Sequence, residues 1–183
     1  MLGRIVSAAG IVFVFFMAAA TADIAEGKDF THGTVVVAMG GGSIEDVAFQ
    51  TGQSGDATFS FFVGYDKMGN LKGSFFVKRV FLASGARAAI STEITDLAVQ
   101  QGDCTWVTMS GVARFKATWV PKPVPDHTFT LEAWNCDSLD DGVDMIWFEV
   151  RRPNGSSRPA LSLEAPTALN GGNVMIPYPY DLP

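Results

Sequence analysis

Apolar and polar residues alternate one by one along most of this chain, and that period-two rhythm limits the folds open to it. Ala57, Phe59, Phe61, Val63 and Tyr65 share one face of an extended run, with Thr58 and Ser60 on the other. Val107, Met109, Gly111, Ala113 and Phe115 repeat the pattern, as do Phe129, Leu131 and Ala133. After residue 22 helical periodicity is nearly absent. Each alternating set defines one buried surface of a strand. Strands are expected at residues 34–39, 57–65, 71–80, 89–99, 105–117, 128–136, 144–151 and 173–176, with a further short one at 160–163.

Turn formers separate these runs. Asp66-Lys67-Met68-Gly69-Asn70 reads as a hairpin loop with Gly69 in the left-handed position, and Gln100-Gln101-Gly102-Asp103 reads alike. Pro121, Pro123 and Pro125 make a stiff link, because proline cannot donate to a ladder. Serial hairpins imply a single-domain, all-β antiparallel meander of about eight to nine strands. Such a sheet must manage its two edges. The expected solution is a closed or nearly closed barrel in which first and last strands meet, since residues 36–44 and 171–176 are both Gly-rich and apolar. The alternative is a two-sheet β-sandwich.

Residues 1–22 carry the marks of a secretory signal peptide. Arg4 gives a positive start, residues 5–20 are apolar, and Ala20-Thr21-Ala22 offers small residues for cleavage. The competing reading is an N-terminal anchor, but the run falls short of the roughly 20 residues that span a bilayer. The remainder divides into an N-terminal segment at 23–32, the β domain at 33–176 and a Pro/Tyr-rich tail at 177–183. The net charge is −6, and losing Arg4 makes it more negative. Scattered acidity of this kind gives no long-range attraction to nucleic acid, and no second hydrophobic span argues for stable membrane insertion after cleavage.

Cys104 and Cys136 are the only cysteines. An even pair in an exported chain reads as one disulfide, and the register of the hairpin between them puts both near its open end. Closing such a loop contributes roughly 3–4 kcal/mol in the chain-entropy view. The alternative is two buried free thiols.

Gly33-Thr34-Val35-Val36-Val37-Ala38-Met39-Gly40-Gly41-Gly42 and the hairpin of Ala57-Thr58-Phe59-Ser60-Phe61 with Asp66 and Gly69-Asn70-Leu71-Lys72-Gly73 form the start of an ordered series. Ile94-Thr95-Asp96-Leu97-Ala98-Val99, Met109-Ser110-Gly111-Val112-Ala113, Thr128-Phe129-Thr130-Leu131-Glu132-Ala133, Asp144-Met145-Ile146-Trp147-Phe148 and Leu169-Asn170-Gly171-Gly172-Asn173-Val174-Met175-Ile176 continue it. The series resembles the post-COAP domain family of secreted bacterial proteins across most of residues 33–176. The cysteine pair, the proline link and the tail depart from that pattern. The resemblance implies an exported β module, alone or attached to larger surface proteins. It implies no activity, so it assigns no functional residue.

Several groups invite a chemical reading. Asp137, Asp140, Asp141 and Asp144 crowd one loop, a density that could hold Ca²⁺, although the spacing is not that of an EF-hand. The plainer reading is a solvated turn capped by Asp. Gly40-Gly41-Gly42 lacks the lysine of a phosphate loop and fits a strand-end bulge where another backbone comes close. His32 and His127, the only histidines, are expected at the surface. Glu45, Glu93, Glu132, Glu149 and Glu164 could supply a carboxylate pair for glycoside hydrolysis, or simply outward charge. Phe62, Trp134 and Trp147 fall on the face opposite the expected core, with Met145 beside Trp147. Exposed together, they would form an apolar platform for sugar rings or a protein partner. The alternative is that loops cover them, or that inside and outside are reversed on one strand.

These features favour a secreted, non-enzymatic β domain, in the medium or at the cell surface, that binds or builds. Its partner would be a surface polymer or a protein, and no cofactor is implied. One alternative is a barrel that carries a small molecule in its aromatic interior. A second is a hydrolase built on paired carboxylates.

Overall fold

A computed structural model describes residues 35–50, 53–81, 85–137 and 142–177. The expected signal peptide at 1–22, the segment at 23–32 with His32, Asp140, Asp141 and most of the tail lie outside the described residues. Ten strands follow in chain order: β1 (Val35–Phe49), β2 (Gln53–Tyr65), β3 (Leu71–Phe81), β4 (Gly85–Gln101), β5 (Thr105–Ala117), β6 (Val124–Asn135), β7 (Met145–Arg151), β8 (Leu161–Ser162), β9 (Thr167–Ala168) and β10 (Gly171–Met175). The sheet order is β10-β1-β2-β3-β4-β5-β6-β7-β8, with β9 also paired to β7. Every pairing is antiparallel, and the described residues contain no helix. The meander implied by serial hairpins is what forms.

The alternating sets turn one way and bury together. Phe59, Phe61 and Val63 of β2 join Phe75 and Val77 of β3, Met109 of β5, Leu131 of β6 and Phe148 of β7 in one core. Phe75 stacks on Phe129 with ring centroids 4.9 Å apart and tilts against Phe148 at 6.3 Å; Phe148 in turn meets Phe49 at 6.4 Å. Each fully buried ring of this kind contributes on the order of 1.5–3 kcal/mol by leaving water. At one end of the core Arg79 is also fully buried, its guanidinium 3.5 Å over the Phe49 ring. Burial, and then the neighbouring charge of Arg87, pushes Arg79 down to about 10.

Turn chemistry fixes the hairpins. The Asp66 carboxylate accepts hydrogen bonds from the backbone N–H groups of Met68 and Asn70, and Gly69 takes φ 78. The Asn70 side chain donates to the same carboxylate and, as the largest cause, holds Asp66 below its ordinary value.

Four strands outrun the alternation that announces them, and β2 does so by starting at Gln53. β1 continues through Gly40-Gly41-Gly42 to Phe49. The close backbone approach expected there is real, but the strand does not end. A Cβ on Gly42 would sit 2.1 Å from the Gly171 carbonyl oxygen, and Gly172, at φ 107, would meet Gly41 as closely. β4 shifts register at Ser91/Glu93 and again at Ile94/Asp96, so its rhythm is broken and only part of it is visible in sequence. β6 starts inside the proline link at Val124, because Pro125 and Asp126 fall in an irregular stretch between the pairs Ala113↔His127 and Phe115↔Val124. Asp126 takes φ 61 there. β9 is too short to alternate and was not foreseeable.

First and last strands meet: β1 pairs β10 from Met39↔Met175 to Ser43↔Gly171. The path of paired strands remains open between β8 and β10. Across that gap lie a single bridge, Phe49↔Leu163, and two backbone bonds, from Gln50 N–H to the Ser162 oxygen (3.2 Å) and from Glu164 N–H to the Ala48 oxygen (3.3 Å).

Candidate functional site: the outer face of β5, β6 and β7

Even-numbered residues of β5 and β6 point away from the core, and their register aligns aromatic groups. Trp106 of β5 stands opposite Trp134 of β6, which stands opposite Met145 of β7. All three are half-buried. Directly opposed pairs on one face lie within contact distance, so this is one continuous apolar row. Gly102 in the preceding turn makes room for the Trp106 ring, since a Cβ there would lie 3.2 Å from it. The next row holds Thr108, Glu132 and Trp147.

Trp147 is less available than its neighbours. Its indole N–H donates to the Leu163 carbonyl at 3.1 Å, and the ring packs against the core cluster. Trp147 is therefore engaged by the bridged residue that follows β8, not by a loop. Phe62 is 43% exposed but lies on β2, separated from β6 by β3, β4 and β5 in the sheet. It faces Met39, which pairs Met175, so it belongs to a second outward row. Sequence reasoning missed Trp106, although the hairpin register that aligned the cysteines also aligns Trp106 with Trp134.

The end of this hairpin is locked. Cys104 and Cys136 form a disulfide, with a Cα–Cα distance of 4.5 Å. They sit one step beyond the last ladder pair, Thr105↔Asn135. Asp144, only 8% exposed, spans from here to β10: one carboxylate oxygen accepts from Cys136 N–H (2.9 Å) and the other from Val174 N–H (2.6 Å). The Asn135 amide donates to the Val174 carbonyl (2.7 Å) and to Asp137 (3.2 Å). Asp144 thus serves as a backbone clamp, and Asp137 accepts from Asn135. Among the described residues no cluster of three or more His, Cys, Asp or Glu side chains gathers to hold a metal.

Two further residues differ from expectation or narrow it. His127, expected at the surface, is 4% exposed and stacks on Phe115 at 5.2 Å. It shares the parity of Phe129, Leu131 and Ala133, which was the available signal. Glu149 is engaged by Arg151, whose Nε lies 2.6 Å from it.

Comparison with protein-family models, curated proteins and solved structures finds no match to this chain. Among the described residues no helix is long and apolar enough to cross a membrane.

Proposed function

We propose that this chain is a secreted, non-enzymatic β module that binds an extracellular partner through the outer face of β5, β6 and β7. The observation that carries the reading is the in-register row Trp106–Trp134–Met145 on the side of the sheet facing away from the core. Aromatic side chains held on a rigid hairpin make a platform that costs little ordering entropy when a ligand stacks on it. Flanking polar groups, Thr108 and Glu132, can hydrogen-bond hydroxyls at its edge. That combination suits sugar rings of a surface polymer. Export accords with the signal-like N-terminus, with the disulfide and with the resemblance to post-COAP domains. A barrel is the closure we favour over a sandwich, because the bridge at Phe49↔Leu163 links the open edges. The carrier alternative draws little support from an interior in which Phe75, Phe129 and Phe148 are in ring contact.

The test is retention of the purified protein on insoluble cell-wall polysaccharide. The wild type is expected to be retained, and W106A/W134A to lose about tenfold in affinity, as interfacial aromatic anchors do. Unfolding curves of the variant should show a native core. Equal retention of both proteins would overturn the assignment of this face, and no retention of the wild type would overturn the polymer as partner.

A further inference from the structure

A second site lies at the opposite end of the same strands, where β5 ends and β4 and β6 begin. A cleft of about 410 Å³ opens there, within the size range of small-molecule sites. Its walls differ sharply in chemistry. Phe115, Trp119, Val120 and Val124 supply an apolar side, while Arg87 and Arg152 supply positive charge. Trp119 is 57% exposed, so its ring face is open to solvent at the cleft. The Arg87 guanidinium lies 5.0 Å from the Trp119 ring centre and donates to the Ala160 carbonyl at 3.3 Å, which fixes its orientation. His127 stacks on Phe115, with Nδ1 3.2 Å from the Pro125 carbonyl. A carbonyl only accepts, so Nδ1 carries the proton and the ring is fixed as well.

The charge here is crowded. Burial first, and then the charges of Arg152 and Arg158, hold Arg87 below its ordinary value. Among the described residues neither Arg152 nor Arg158 has a carboxylate within ion-pair reach. Like charges gathered beside an apolar wall, in a chain of net charge −6, form a receptor for an anion.

We propose that this cleft binds a small organic carboxylate with a flat apolar body, the carboxylate between Arg87 and Arg152 and the body against Trp119 and Phe115. Arginine suits the role because its planar fork matches a carboxylate in two-point geometry. The indole face suits the body because it offers area without polar groups to desolvate.

Calorimetric titration of the whole protein with benzoate tests this. Benzamide, which keeps the ring and loses the charge, and acetate, which keeps the charge and loses the ring, serve as the comparison ligands. Benzoate should bind saturably, and both comparison ligands at least about tenfold more weakly, the scale of one charge-assisted contact. R152Q alters an exposed side chain, so it should fold normally and weaken benzoate by about tenfold, with W119A acting similarly. Absence of saturable benzoate binding would overturn the proposal. So would benzamide or acetate binding as tightly as benzoate, or R152Q binding like the wild type. W106A/W134A should bind benzoate unchanged, so failure of the polymer reading would leave this one standing.

Discussion

Asp144 holds two backbone donors from different parts of the chain, Cys136 N–H and Val174 N–H, in a site shielded from water. Removing the carboxylate leaves both donors buried without an acceptor, and each such loss costs about 1–3 kcal/mol. Asp144→Ala is therefore expected to lower unfolding stability by about 2–5 kcal/mol, read from urea curves, with Asp144→Asn losing less because one acceptor oxygen survives. A loss below half a unit would mean that the clamp is replaced by solvent. Counting acidic residues in the sequence draws attention to this loop as a cation site, and says nothing of the backbone clamp that Asp144 forms. Four Asp side chains look like a cation cage, and nothing in their spacing says that one turns inward to serve backbone. The sequence does carry signals for His127 and Trp106. Parity with Phe129 places the first inside, and the register of the cysteines places the second opposite Trp134.

The β5–β6 hairpin is the element on which both proposed sites depend, one at each end. Its register was readable because alternation on both strands and the cysteine positions agree, and consistent local signals of this kind specify a pairing strongly. β4 was readable only in part, since two register shifts break its rhythm. β6 begins earlier than the prolines predict, because an irregular stretch removes the need for a donor at Pro125. The disulfide closes a loop of sequence separation 32 at the open end of the hairpin. Replacing both cysteines by serine should lower stability by about 3–4 kcal/mol in urea, with the strand content by circular dichroism unchanged in the absence of denaturant. A chain that lost its strands outright would show that the bond is required for folding rather than merely stabilising.

At the scale of the whole molecule, the described antiparallel sheet is built mostly from sequence neighbours, with the pairing of β1 with β10 and the bridge Phe49↔Leu163 as long-range exceptions. Deleting residues 171–183 would uncover the β1 edge from Met39 to Ser43, a glycine-rich strip with unpaired donors and acceptors. Such edges recruit other strands. The truncated protein is expected to elute from a sizing column as a dimer or larger, where the full chain elutes as a smaller species. Equal elution would show that the edge is guarded by other means. That first and last strands meet was legible from their shared glycine-rich texture, whereas the open path beside β8 was not, because the bridging segment is too short to carry a pattern. The Asp144 clamp ties β10 to the disulfide. One anchor of that strand is a carboxylate that also grips the N–H of a disulfide-bonded cysteine. The cross-link and the docked strand thus meet at a single backbone N–H. Slack introduced at either one is expected to reach the other.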